Sequence, residues 1–313
     1  MNPKNPKDID GAEISWFAPL CDGDDDFLGN RNPNYKSTWE NTSKIVKTAD
    51  ELGFRNVLCP SSYQVGQDTL SFVAGMAPIT KQINFLAAIR CGEVHPPMLA
   101  RSIATLDHML KGRLTINIIS SDLPGNELDS SERYARSREV IEILKQSWNQ
   151  DRIEFNGKYY KLSLPTDPVK PYQQNGGPLL YFGGYSPAGV DLCAEHCDVY
   201  LMWPETEDKL QGLMNTMTLK ASDYGRTVQF GLRVHVIVRE TEKEARDYAN
   251  NLLSKLDLDH GLNIKNRAQD SNSLGVARQS QMRNEADNEL SLIHISEPTR
   301  PLYSSYAVFC LKK

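Results

Sequence analysis

Two basic side chains on one apolar segment are the strongest chemical feature of the sequence. In residues 231–237 (GLRVHVI), Arg233 and His235 lie two positions apart, so on a β-strand they share one face while Leu232, Val234 and Val236 take the other. A fixed positive charge beside an imidazole suits binding of an anion with proton transfer next to it. An ion pair with an acidic residue of another strand is the alternative reading. The second feature is Tyr181-Phe182-Gly183-Gly184-Tyr185-Ser186, directly ahead of a helical run from Pro187 to Cys197. Glycines let the backbone approach a ligand, and helix N-terminal N–H groups with a serine hydroxyl form an anion site that suits a phosphate. An ordinary strand-to-helix turn carries the same glycine pair. Asn117 is the third feature, an amide inside the apolar run 114–119 that must bond either backbone or a heterocycle.

Other reactive types are less organised. Cys193, His196 and Cys197 fall on one helix, but a metal site needs three or four convergent ligands and no second pair matches them, so they read as buried side chains. Arg90 and His95 fall at the end of an apolar run, near the expected mouth of the site, with merely solvated side chains as the alternative. Glu132-Arg133-Tyr134 alone reads as helix surface, and no Ser-His-Asp set can be assembled.

The elements that must position these residues follow from periodicity. Short β-branched runs alternate with helix-period segments, the pattern of repeated strand–helix units with a parallel sheet. Strands are expected at 14–20, 56–60, 83–89, 114–119, 179–183, 199–203 and 228–239. Helices are expected at 38–53, from 67 or 68 through 76, 96–110, 130–148, 187–197, 206–224 and from Thr241, where Thr241 and Glu244 form a capping box. Residues 153–162 read as an inserted hairpin turning at Asn156-Gly157. Seven units suit an α/β TIM barrel, which closes with eight, and a doubly wound sheet is the alternative. No GxGxxG follows the first strand, so a dinucleotide site gains no support.

Composition limits the partners. The 313 residues carry 35 Lys and Arg against 40 Asp and Glu, a net charge of −5, which argues against an electrostatic grip on nucleic acid. No apolar run approaches the roughly 20 residues of a membrane span, and the first residues lack a signal-peptide pattern, so a cytoplasmic protein is expected. The six cysteines read as free thiols.

Residues 290–300 (LSLIHISEPTR) and 305–313 (SYAVFCLKK) resemble, in one frame and in order, a translated transposase-type sequencing adapter. On that reading residues 1–289 form a single barrel domain, with 260–289 irregular, and 290–313 are a non-native tail. The eighth unit is then missing, two strand edges are expected to be unpaired, and loss of turnover is expected to follow.

Ala104-Thr105-Leu106-Asp107-His108 with Gly112-Arg113, the Asn117 strand, Glu132-Arg133-Tyr134, Phe155-Asn156-Gly157-Lys158, Tyr181 to Gly184, and residues 233–241 together resemble the bacterial luciferase-like flavin monooxygenases. Among these the sequence is most similar to alkanesulfonate monooxygenases, over about residues 12–260. The resemblance implies a TIM barrel, reduced FMN from a separate flavin reductase, molecular oxygen as co-substrate and a dimer or tetramer. It implies that Tyr134, Gly184, Tyr185 and Ser186 hold the FMN phosphate, after the fifth strand of the barrel. Asn117 would lie beside the flavin ring, with Asp68 and Phe17 as further contacts. Arg233 and His235 would face the substrate, an organosulfur compound such as an alkanesulfonate, giving an aldehyde and sulfite. Another small substrate, a deazaflavin-dependent hydride transfer and a non-catalytic flavin-binding protein are the other readings. A cysteine of the sulfonate enzymes aligns with Gly66, and the family's lid and final strand fall beyond the matched residues.

Overall fold

The computed structural model describes residues 12–255, apart from 22–25, 28, 29, 31, 62–65, 122, 124, 167, 168 and 175, together with the backbone of 306–311. Seven strand–helix units follow one another. They are β1 (Glu13–Phe17) and α1 (Trp39–Glu51), β2 (Asn56–Cys59) and α2 (Thr69–Met76), β3 (Asn84–Arg90) and α3 (Pro96–Met109), and β4 (Leu114–Ile119) and α4 (Ser130–Asn149). After the hairpin β5 (Arg152–Asn156) and β6 (Lys161–Pro165) come β7 (Leu180–Phe182) and α5 (Pro187–His196), β8 (Val199–Met202) and α6 (Glu207–Asp223), and β9 (Gln229–His235) and α7 (Glu242–Leu253). The last described strand is β10 (Tyr306–Leu311). Residues 260–289 lie outside the described residues.

Local chemistry sets where the helices start. Thr38, Asp68, Asp129, Ser186 and Thr241 each accept an N–H from the first turn of the following helix, and Thr241 and Glu244 complete the capping box. α3 instead begins on Pro96-Pro97, whose fixed φ suits a first turn. Gly53, at φ +82°, ends α1 in the left-handed region.

The strands close into a barrel in the order β1, β10, β9, β8, β7, β4, β3, β2. The seven strands of the repeating units run parallel wherever they are neighbours. The expected gap at the eighth place is filled, though not by a strand–helix unit. β10 pairs antiparallel with both β1 and β9, from Glu13↔Cys310 on one side to His235↔Tyr306 on the other. The open edges of β1 and β9 present unpaired N–H and C=O groups, and any β-forming segment satisfies them in either direction. β9 ends at His235, opposite Tyr306, short of the expected end at Arg239.

Side chains alternate between two cores. Phe17, Leu58, Leu86, Tyr181, Val199 and Leu201 pack inside the barrel. Val57, Phe85, Ile116, Phe182 and Tyr200, among others, face the helices. The N-terminal face is tied by polar contacts that stabilise rather than react. The Asp50 carboxylate accepts N–H bonds from Lys81, Gln82 and Ile83 at 2.9, 2.9 and 2.7 Å, and Arg113 donates to the Ile83 carbonyl at 2.6 Å. Asp107 accepts both the backbone and side-chain N–H of Gln173 at 2.8 Å.

The hairpin turn differs from expectation. Asn156 is the last residue of β5, and Gly157 N–H closes a wider turn onto the Tyr160 carbonyl at 2.8 Å. Glu139 of α4 accepts the N–H groups of Lys158, Tyr159 and Tyr160 at 2.6, 2.9 and 3.0 Å. That carboxylate satisfies the turn's donors and removes the need for positive φ angles. Among the described residues no helix is long and apolar enough to cross a membrane, and the described cysteines are all free.

Candidate active site

β9 brings Arg233 to the inner face. Leu201 on β8 stands opposite Gly231 and belongs to the inner core, so Gly231 and Arg233 share its face. The guanidinium carbon of Arg233 lies 5.5 Å from the Phe17 ring and 5.6 Å from the Trp203 ring. Two aromatic faces therefore hold one cation at the C-terminal mouth of the barrel, where this fold places its chemistry. His235 follows two residues on, at the end of the same strand.

The β7–α5 turn forms the second part of the site. Ser186 caps α5 by accepting the Gly189 N–H at 3.1 Å. Tyr134, from the second turn of α4, reaches the same place and packs edge-on to Phe182 at 6.1 Å between ring centroids. A Cβ built on Gly189 would lie 3.0 Å from the Tyr134 hydroxyl and 3.1 Å from Ser186 Oγ. A Cβ on Gly184 would lie 2.7 Å from the Phe182 ring. The two glycines thus let the Phe182 ring, the Tyr134 hydroxyl and Ser186 Oγ pack closely against the turn, so that two hydroxyls meet at a helix N-terminus, a donor set that suits a phosphate. The Tyr185 hydroxyl accepts the Trp203 N–H at 2.6 Å, and the Tyr200 hydroxyl donates to the Gly184 carbonyl at 2.9 Å. The glycine turn is thereby tied to the end of β8, next to Arg233.

The remaining expected residues separate into two groups. Phe17 is 3% exposed and belongs to the inner core directly under Arg233. Asn117, half-buried, stands opposite Tyr181 of the inner core and so faces the barrel interior. Asp68 serves α2, its carboxylate accepting the Ser71 N–H at 2.7 Å as an N-cap. At Gly66 a Cβ would lie 2.7 Å from the Leu20 carbonyl oxygen, so a cysteine side chain would displace backbone there.

Sequence reasoning missed Trp203, which was readable as the third inward position after Val199 and Leu201. Arg90, read as near the mouth or merely solvated, is 5% exposed and follows Leu86 and Ala88 on the inner face of β3.

The helix that carries Cys193, His196 and Cys197 packs its polar end against α4. Glu142, Glu195 and His196 bring ligand atoms within 4.8 Å of one another. The Arg138 guanidinium occupies the cluster, paired with Glu195, 3.3 Å from Asp191 and 3.4 Å from His196 Nε2. Burial, then the charges of Lys145, Arg138 and Arg226, lower the His196 pKa to about 3 and keep the ring neutral.

Comparison with known proteins gives a consistent result. Residues 15–294 match the family model described as luciferase-like monooxygenase. A sulfoquinovose monooxygenase of Agrobacterium fabrum is 59% identical over 286 residues, covering 91% of this chain and 74% of that protein. A sulfoquinovose monooxygenase of Novosphingobium aromaticivorans is 47% identical, covering 89% of this chain and 78% of its own length. The crystal structure of a long-chain alkane monooxygenase shares the fold with a TM-score of 0.72 at 21% identity, over 81% of this chain and 71% of that one.

Proposed function

Because the chain belongs to the luciferase-like monooxygenase family, a group of flavin-dependent enzymes, we propose that it uses reduced FMN and O2 to desulfonate a sulfonated sugar, sulfoquinovose. Sulfonate, reduced FMN and O2 give an aldehyde, sulfite, oxidised FMN and water. A separate flavin reductase supplies the reduced FMN. The observation that carries the reading is Arg233, an inward cation held between Phe17 and Trp203 at the mouth of the barrel. The substrate follows the two close relatives, both sulfoquinovose monooxygenases, and takes the place of a simple alkanesulfonate.

Tyr134 and Ser186 would hold the FMN phosphate at the N-terminus of α5, where Gly184 and Gly189 let them approach the turn. Bound flavin supplies the activation of oxygen, which amino-acid side chains do not provide. The protein's own residues do the rest. Arg233 binds the sulfonate and fixes the carbon–sulfur bond in place, and its aromatic clamp restricts the guanidinium before substrate arrives. His235, two residues further along β9, would donate a hydrogen bond or move a proton at the reacting carbon. The inner layer of Phe17, Leu58, Leu86, Tyr181 and Leu201 floors the site with apolar groups and excludes water from below.

The test is sulfite release by the purified protein with FMN, NADH and a flavin reductase in air. Sulfoquinovose is expected to yield sulfite at a higher kcat/KM than hexanesulfonate. Sulfite from hexanesulfonate alone would overturn the sugar assignment.

A further inference from the structure

We infer that Arg136 marks a binding site for a small inorganic oxyanion, of the sulfate or phosphate type, between α4 and the turn that joins β3 to α3. The inference does not depend on the flavin reading. Arg136 is 5% exposed, its Nε is buried, and among the described residues it has no hydrogen-bond or ion-pair partner. Gly92, at φ +97°, lets the side chain lie across the turn, since a Cβ there would come within 2.8 Å of Arg136 Nε. Two further donors stand beside it. Burial raises the pKa of the half-buried Tyr160, and the nearby Arg136 charge opposes that shift. The exposed His95 ring packs edge-on to Tyr160, 6.0 Å between centroids. The place is separate from the Ser186 turn. Tyr134 and Arg136 lie roughly 200° apart around the axis of α4, so Tyr134 meets Gly189 while Arg136 meets Gly92.

A guanidinium taken out of water without an acceptor costs free energy that an anion restores. The carboxylate nearest along the helix, Glu139, does not serve it, because its two oxygens accept the N–H groups of Lys158, Tyr159 and Tyr160 in the hairpin turn. The small exposed fraction of Arg136 selects the size of the partner. A carboxylate carried on another protein does not reach so deep a charge, whereas a free ion does. The planar fork of the guanidinium matches two oxygens of one oxyanion, and the Tyr160 hydroxyl and a His95 ring N–H suit its remaining oxygens, a set that the single atom of chloride leaves unused. Bound there, the ion ties α4, the hairpin turn and the β3–α3 turn to one another.

The experiment is thermal unfolding of the purified protein without flavin, with sodium sulfate replacing sodium chloride at constant ionic strength. Wild type is expected to show a rise in Tm that saturates with sulfate, as binding to the native state alone requires. R136M is expected to lose that rise and R136K to keep part of it, while Arg233→Ala and Ser186→Ala retain it. No saturable rise in wild type, or an equal rise in wild type and R136M, would overturn the inference. So would a rise lost in Arg233→Ala or Ser186→Ala but kept in R136M, since sulfate would then occupy the active site. Should R136M not fold, amide hydrogen exchange of the wild-type protein gives an independent reading. Sulfate is expected to slow exchange in residues 91–95 and 133–137, and unchanged exchange in both segments would contradict the proposal.

Discussion

Arg233 sits between two rings, so its geometry and its charge can be tested separately. Arg233→Ala removes the sulfonate partner and is expected to cost about 2–5 kcal/mol of binding in the reacting complex, or roughly thirtyfold or more in kcat/KM, with FMN affinity unchanged. Arg233→Lys restores charge without the planar stacking and is expected to recover part of the loss. A wild-type rate in the alanine variant would remove Arg233 from the mechanism. At the other end of the site, Gly184→Ala places a methyl against the Phe182 ring and is expected to weaken FMN more than riboflavin, as measured by fluorescence quenching. Equal losses for both would show that the β7–α5 turn does not serve a phosphate. Arg233 and the Ser186 turn were legible in the sequence because alternation and helix starts are local signals. Trp203 required knowing that Val199 faces inward. That is a property of the closed barrel and not of any single segment.

The helix and strand starts were legible to within a few residues because caps, prolines and terminal glycines sit in the local sequence. The contacts between elements were not. Asp50 joins the end of α1 to the approach of β3, a separation of more than 30 residues that no local pattern reveals. Burial alone would raise its pKa, but three backbone N–H donors and the Arg113 charge outweigh this and hold it below the usual carboxylate value. The stabilisation it gives is present above the unfolded pKa of about 3.9 and is lost as pH falls through the lower folded value. Asp50→Asn is expected to cost about 1–3 kcal/mol in urea denaturation at neutral pH. His196 behaves in the acid range for the opposite reason. Its folded pKa of about 3 lies below the unfolded value of about 6.5, so the unfolded chain binds the proton more readily and stability falls as pH drops from about 6.5 toward about 3. His196→Gln is expected to flatten the urea midpoint between pH 6.5 and 4.5, and an unchanged slope would mean that the α4–α5 cluster does not set acid stability.

For the whole molecule, seven strand–helix units and a barrel were legible because their number and rhythm admit few other closures. The eighth place was not, since antiparallel closure by β10 depends on which edges are left open and not on a repeat in the sequence. The segment that resembles a translated adapter supplies that strand. Pairing of the two edges removes the reason to expect loss of turnover from an open barrel. Val308 stands opposite both Ser15 and Arg233, so Val308→Pro removes a ladder donor between them. It is expected to lower thermal stability and promote aggregation, measured by light scattering on heating; unchanged scattering and stability would show that β10 does not support the barrel.

The most direct test of the account is sulfite release from sulfoquinovose by the purified protein supplied with reduced FMN and O2. The account predicts sulfite that rises with protein concentration, requires oxygen, and disappears in Arg233→Ala while FMN binding persists. Binding of reduced FMN with no sulfite above the protein-free control would contradict it.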